Sequence, residues 1–254
     1  MQINKYERGL RDRVAIVTGA AIGNGRAFCE RLAEEGAKLV IADVADASAT
    51  LDAVKQAGGE AVMVRADLTK AADAQMVVDT AMTTFGRVDI LVHNVGHYSE
   101  EPFELLDFEE WKHTLDLTLN TLFHTIRAVL PPMKRAGFGR IITFSSDTVW
   151  LGTPYLTHYV TAKMGVIGLT RSLAAEIGKH GITINTISVG LTATQNASQS
   201  PVMSPILAHI LPSQAVHRAD EPEDIANVVA FLALPASGII TGQTINVDGG
   251  VARH

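Results

Sequence analysis

Arg13-Val14-Ala15-Ile16-Val17 runs straight into Thr18-Gly19-Ala20-Ala21-Ile22-Gly23-Asn24-Gly25, an apolar, β-branched stretch that stops at a glycine-rich turn. Beyond the turn, Ala27, Phe28, Leu32 and Ala33 recur at helical spacing up to Gly36, where a C-terminal glycine is expected. Lys38-Leu39-Val40-Ile41-Ala42 then reads as a second strand. A strand, glycine turn, helix and strand in a unit of about thirty residues let a pyrophosphate approach bare backbone amides at the positive end of a helix dipole. Asp43 ends the second strand, where a carboxylate accepts hydrogen bonds from the adenosine ribose hydroxyls and repels a 2′-phosphate. Neither Ile22 nor Val44 offers the positive charge that a 2′-phosphate requires, so the reading predicts NAD rather than NADP.

Working outward, strand and helix patterns alternate along the whole chain. Strands are predicted near 13–18, 38–42, 61–65, 88–92, 139–144, 182–188 and 243–247. Helical crossovers between them imply an α/β fold of the Rossmann type, a doubly wound, seven-stranded parallel sheet with helices on both faces. Coverage of both faces explains nearly uniform apolar strands such as Ile90-Leu91-Val92 and Ile141-Ile142-Thr143-Phe144. A chain of 254 residues fits one such domain, with 1–12 a polar leader and 191–217 a substrate lid carrying Met203, Ile206, Leu207, Ile210 and Leu211.

The formal charge of minus six and the absence of a basic cluster argue against nucleic acid as a partner. Apolar runs are short and broken by charges, which excludes a membrane span. No charged leader precedes an apolar stretch and cleavage site, so the expected compartment is the cytoplasm. The one cysteine, Cys29, falls in the apolar pattern of the first helix and reads as core. The nine histidines, among them His209, His217 and His254, show no pair at metal-ligand spacing with a supporting carboxylate, so no metal is expected.

Tyr159 and Lys163 stand four residues apart in Tyr159-Val160-Thr161-Ala162-Lys163, on one face of a helix. A phenol ionises near pH 10, and its use as a proton donor and acceptor at neutrality needs about 4 kcal/mol of help. A unit positive charge about 4 Å away, at an effective dielectric near 20, supplies about that much.

Together these residues resemble the short-chain dehydrogenase/reductase family in its single-domain form, almost end to end. Thr18-Gly19 through Gly23 and Gly25 looks like the family's cofactor turn, including Ala21, Ile22 and Asn24. Asp67-Leu68 looks like its adenine-side motif, and His93-Asn94-Val95-Gly96 like its Asn-Asn-Ala-Gly strand end. Ser146 precedes Tyr159 by the family's usual thirteen residues. Val189-Gly190 with Thr192 and Thr194 resembles the segment that contacts the nicotinamide amide, and Ile240 through Gly250 the last strand and its exit.

The resemblance implies hydride transfer between NAD and an alcohol or carbonyl compound. Tyr159 would be the general acid/base, Ser146 would hold the substrate oxygen, and Lys163 would lower the Tyr159 pKa and bind the nicotinamide ribose. The chain departs from the pattern at Thr118, where the family's helix asparagine usually stands, with Asn120 two residues later. It departs also at Asn24, His93, Val95 and Val189, each bordering the expected cofactor.

His97, Tyr98, Asp147, Thr148, Trp150 and Tyr155 fall in segments that line the family's substrate cleft, and with Met203 and Leu207 of the lid they suggest an apolar, partly aromatic pocket. The stretches 150–159 with 251–254, and 152–154 with 165–168, resemble NAD-linked members that oxidise ring-bearing alcohols. Two alternatives stand beside that reading: a 3-oxoacyl-carrier-protein reductase, against which Asp43 argues, and a dinucleotide-binding partner protein without catalysis. Long helices near 107–135 and 156–180, apolar on more than one face, fit the homotetramer that the family implies.

Overall fold

The computed structural model describes residues 9–194 and 211–253. Seven strands are present: β1 (Val14–Thr18), β2 (Lys38–Asp43), β3 (Ala61–Arg65), β4 (Ile90–His93), β5 (Gly139–Ser146), β6 (Ile182–Val189) and β7 (Thr244–Val247). They form one sheet in the order β3-β2-β1-β4-β5-β6-β7, and every pairing is parallel. All residues of β1 and β5 are buried, as strands covered on both faces must be.

Among the described residues the α-helices are α1 (Gly23–Glu34), α2 (Ser48–Gln56), α3 (Ala71–Phe85), α4 (Phe108–Leu115), α5 (Thr121–Ala136), α6 (Thr148–Leu151), α7 (Thr157–Ile177) and α8 (Pro222–Ala233). One face of the sheet packs on α1, α2 and α8 through Phe28, Leu32, Val54, Ile225 and Val229. Phe28 stacks on Phe144 of β5 with ring centroids 4.9 Å apart. Burying such a side chain stabilises by about 1.5–3 kcal/mol. The opposite face packs on α3, α5 and α7 through Val77, Leu122, Val129, Val166 and Ile177.

Strand order reverses between β1 and β4, and an open α/β sheet offers its crevice at the C-terminal ends of the strands flanking such a point. Two local departures from regularity shape that crevice. A π-helical turn, Asp116–Asn120, joins α4 to α5, and α6 is a single turn directly after β5. The extra residue of a π turn re-aims side chains. Thr118 is turned inward at 1% exposure, whereas Asn120 stays outside, bonded to Asp116. Cys29 is fully buried and its thiol pKa is pushed up by burial, consistent with a core role. Among the described residues no helix is long and apolar enough to cross a membrane.

Candidate active site

The glycine turn between β1 and α1 is held from three sides. Asn94 Nδ2 donates to the Gly19 carbonyl at 3.0 Å, and Thr50 Oγ1 lies 2.9 Å from the Ala20 carbonyl and 3.0 Å from that of Ala21. Asp43 Oδ2 accepts from the Ala21 amide at 2.8 Å and Oδ1 from the Ala45 amide at 2.9 Å. A carboxylate has about four acceptor positions, so Asp43 keeps two for a ligand while bracing the turn. Glycine is required at Gly25, where a Cβ would stand 2.0 Å from the Gly19 carbonyl oxygen. At Gly23, with φ +56°, a Cβ would stand 3.5 Å from Thr194 Cγ2, which places Thr194 beside the turn.

Ile22 and Val44, flanking this cradle, are 62% and 61% exposed and bring no charge to it. Asn24 Oδ1 is buried without a hydrogen-bond partner among the described residues. Farther along the crevice, Asp67 is tied to Thr69 and Lys70, and these contacts, Thr69 first, hold its carboxyl below the usual range. Leu68 is buried, and its carbonyl is 3.1 Å from His124 Nδ1. Bare amides at a helix N-terminus, the open acceptors of Asp43 and the glycine cradle fit a nicotinamide dinucleotide.

His93 is enclosed in the packing at the end of β4. Its ring is buried between Thr18 Oγ1 at 3.3 Å and Thr121 Oγ1 at 3.1 Å, and burial, with the Lys163 charge, brings its pKa down to about 3. It is a neutral strut between β1 and α5. Val95 packs partly buried against the α3/α5/α7 core.

The C-terminal ends of β4 and β5, the first turns of α7 and the π turn after α4 bring Ser146, Tyr159, Lys163, Thr118 and Gly96 together. Lys163 Nζ donates to the Phe144 carbonyl at 3.0 Å and stands 5.6 Å from the Tyr159 ring centroid. Ser145 Oγ donates to the Lys163 carbonyl at 3.0 Å, locking α7 to β5. A Cβ on Gly96 would lie 3.4 Å from Lys163 Nζ and 3.9 Å from Thr118 Oγ1, so glycine there lets the lysine and threonine converge. Thr118 Oγ1 is buried and has no partner among the described residues. It borders the same gap at Gly96 as the ammonium.

The electrostatics differ from the expectation for Tyr159. Its pKa is pushed up to about 12, by burial first and then by the charge of Asp147 and the proximity of Tyr98, against an opposing hydrogen bond to Ser146. Burial of the phenolate outweighs the lysine, whose ammonium is engaged by the Phe144 carbonyl and is itself brought down to about 8 by burial. In this chain Tyr159 therefore holds its proton through neutrality.

Of the expected substrate-pocket residues, Tyr98 packs edge-on against Tyr159 with ring centroids 5.7 Å apart. Thr148 Oγ1 donates to Ser146 Oγ at 2.9 Å, and Trp150 Nε1 donates to Ser188 Oγ at 3.1 Å. Tyr155 is 58% exposed in a left-handed conformation, φ +65°, and contributes its carbonyl to the Glu101 amide. His97 is anchored by Glu110 at 3.2 Å. Glu110 also accepts from Ser99 at 2.7 Å and from Thr114 at 3.2 Å, and these bonds, Ser99 first, hold its carboxyl below the usual range. Ser99 in turn meets buried His158, the neighbour of Tyr159, at 3.1 Å. Met203 and Leu207 lie outside the described residues, as does most of the expected lid.

Sequence reasoning missed this Glu110 network, the Phe144 carbonyl, and a group of three buried aspartates, Asp147, Asp220 and Asp248, around Gly190. Their partners lie far apart in the chain, and no local pattern marks them. Among the described residues no His, Cys, Asp or Glu group is arranged to hold a metal ion.

Known proteins match along nearly the entire chain. A family model described as Enoyl-(Acyl carrier protein) reductase matches residues 19–252. The short-chain reductase protein NovJ of Streptomyces niveus is 39% identical over 94% of both chains. A 3-oxoacyl-[acyl-carrier-protein] reductase of Synechocystis is 36% identical over 95% of this chain and 98% of that one. The crystal structure of levodione reductase superposes with a TM-score of 0.89 at 31% identity, covering 94% of this chain and 97% of that chain. With the Rossmann-type sheet and the Ser146, Tyr159 and Lys163 cluster already in place, these similarities settle the family: the chain belongs to the short-chain dehydrogenase/reductase oxidoreductases.

Proposed function

We propose that the chain is a single-domain, NAD-dependent oxidoreductase that transfers a hydride between a secondary or ring-bearing alcohol and its ketone or aldehyde. The observation that carries this reading is the convergence of Ser146, Tyr159 and Lys163 at the sheet edge that also presents the glycine turn and Asp43. When bound, the nicotinamide dinucleotide supplies the hydride acceptor or donor. Gly19, Ala21, Ile22, Gly23 and Asn24 of the turn, Asn94, Val95 and Gly96 of the β4 exit, and Val189, Gly190, Thr192 and Thr194 of the β6 exit would hold it, with Asp67 and Leu68 toward the adenine.

Tyr159 gives a proton to the substrate oxygen in reduction and removes it in oxidation. Ser146 orients that oxygen. Lys163, with Thr118 bordering the same gap, keeps a positive charge beside the phenol. Tyr98 and Trp150 favour a flat, apolar substrate. The acyl-carrier-protein reductase reading has the Synechocystis relative in its favour. Against it stand the uncharged flanks of the cradle and the carboxylate of Asp43, which would repel a 2′-phosphate. The expected catalytic efficiency is therefore higher with NADH than with NADPH by a factor of ten or more, roughly the value of one unfavourable charge contact. The reverse order in steady-state kinetics would contradict the cofactor assignment.

The Tyr159 pKa sets the pH dependence. Oxidation needs the phenol deprotonated and reduction needs it protonated, and the phenol is pushed up to about 12. Oxidation is thus expected to rise toward alkaline pH, while turnover in reduction at saturating ketone holds near neutrality and below. Superimposable profiles for the two directions would contradict this.

The family resemblance and an apolar groove of about 580 Å³ between α5 and α7, lined by Phe123, Ile126, Leu130, Leu169 and Leu173, support a homotetramer with a second copy against that face. Phe123 is 49% exposed there. The proposed setting is cytoplasmic, with a small-molecule substrate and neither nucleic acid nor membrane as a partner.

A further inference from the structure

Three carboxylates that the reaction does not require are buried together just behind Ser146. Asp147, Asp220 and Asp248 are 5%, 5% and 3% exposed. They come from the β5 exit, the approach to α8 and the β7 exit, and they close around the end of β6. The Asp147 amide donates to the Val189 carbonyl at 3.0 Å. A Cβ on Gly190 would lie 2.5 Å from Asp220 Oδ2 and 2.9 Å from Asp248 Cβ, so the glycine admits both side chains. Asp248 is satisfied by the amides of Gly250 and Ala252, each at 2.9 Å. Asp220 Oδ1 takes one weak bond from Gln214 at 3.3 Å, and Asp220 Oδ2 has no partner among the described residues.

The member that touches the reaction centre is Asp147. Ser146 Oγ receives two donors from Thr148, the backbone amide at 3.3 Å and the hydroxyl at 2.9 Å. A hydroxyl has two lone pairs and one proton, so these contacts fill its acceptor side. The single proton goes to Asp147 Oδ1 at 3.2 Å. In that arrangement Ser146 has no hydrogen left to offer a carbonyl oxygen.

We propose that Asp147 is a positioning residue that sets where the Ser146 proton points: as a carboxylate it holds that proton away from the substrate oxygen, and when protonated it releases the proton toward a ketone oxygen. This rests on the dehydrogenase reading above and deepens it. Only a proton is exchanged with solvent, and no bond to substrate is made by Asp147.

The surroundings permit the exchange near physiological pH. Burial, with Asp248 adding its charge, raises the Asp147 pKa to about 6. Asp220, also raised to about 6 by burial first, repels it from the α8 side, while Arg218 partly offsets the charge of Asp220 and Asp224 adds to it. From α7 the facing group is Tyr159, with Lys163 5.6 Å from the center of its ring, and Tyr98 packs on Tyr159 from the β4 exit.

Asp147→Asn tests the assignment with two readouts. Absorbance titration of tyrosine in the near ultraviolet, with Tyr159→Phe subtracted, is expected to move the Tyr159 transition down by about one unit, because a neighbouring negative charge is removed. With acetophenone and NADH as the probe, the wild-type KM for ketone is expected to rise several-fold as pH passes through about 6, where Asp147 ionises, with kcat changing less, and to stay flat in Asp147→Asn. An unmoved tyrosine transition together with a retained KM step would overturn the proposal.

Should Asp147→Asn fail to fold, Asp220→Asn decides. It touches neither Ser146 nor Tyr159, and removing its charge is expected to shift the wild-type KM step to lower pH. No shift would overturn the proposal. Should acetophenone not be turned over at all, the dehydrogenase reading fails for that substrate class, while the absorbance titration still reports on Asp147.

Discussion

Tyr159→Phe is expected to lower turnover by a factor on the order of a thousand while leaving NADH binding within about twofold of wild type. The substitution removes one oxygen and nothing else of the ring. The edge-on packing against Tyr98 and the stacking under Lys163 survive, since both involve the ring and not the hydroxyl. What is lost is the only proton donor of Tyr159, kept protonated by a pKa pushed up to about 12. Fluorescence titration with NADH, beside steady-state rates, separates the two effects. A variant retaining more than about a tenth of wild-type turnover would remove Tyr159 from the chemistry. Loss of turnover with unchanged NADH affinity would exclude the reading of this chain as a dinucleotide-binding partner without catalysis.

The second large effect is expected at the glycine turn. Gly25→Ala places a methyl group 2.0 Å from the Gly19 carbonyl oxygen and 2.8 Å from Ala20 Cα. Both neighbours are backbone, so the first turn of α1 must move away from the β1 exit. Overpacking of this kind costs about 1–3 kcal/mol of stability, and the displaced amides are expected to weaken dinucleotide binding by about a hundredfold. Gly168→Ala is the matched control. Gly168 lies on α7, exposed, with nothing within 4 Å of its added Cβ, and a helical Gly→Ala change at such a site is neutral or stabilising by about 0.5–1 kcal/mol. Equal binding in both variants, measured by NADH titration with denaturant unfolding alongside, would contradict the role given to the turn.

Much of this architecture was legible because it is written in local periodicity. Seven apolar runs bounded by turn residues became seven parallel strands, and Gly36 ends α1 with φ +90° as its place after the helix implied. Boundaries moved where side chains compete with the ladder. The fourth strand begins at Ile90 instead of 88, because Asp89 just before it is buried against Arg13 and Arg87. It continues through His93, whose ring is captured by two threonines.

The Ser146, Tyr159 and Lys163 cluster was legible because Tyr159 and Lys163 share one helix face and Ser146 ends a strand that this helix packs on. The energetic balance within it was not. Spacing alone implied that Lys163 would lower the phenol pKa, whereas burial of the ring and the negative charge of Asp147 win. Neither quantity has a signature in sequence, since each depends on how the β4 and β5 exits, with Tyr98 and Asp147, close over the phenol. The same reason hid the aspartate group: Asp220 and Asp248 close on Gly190 just past the end of β6, and Asp147 is tied to Val189 beside it. The π turn that points Thr118 inward and Asn120 outward was equally unreadable, because one added backbone residue in a helix leaves the apolar pattern almost unchanged.

The most direct test of the account is NADH formation at alkaline pH on a panel of 1-phenylethanol, cyclohexanol and pyridoxal, with NAD and NADP run in parallel on the wild-type protein. The account calls for turnover of at least one ring-bearing alcohol with NAD, and for a clearly lower rate with NADP. Turnover with NADP alone, or none with any alcohol while NADH binds, would contradict it.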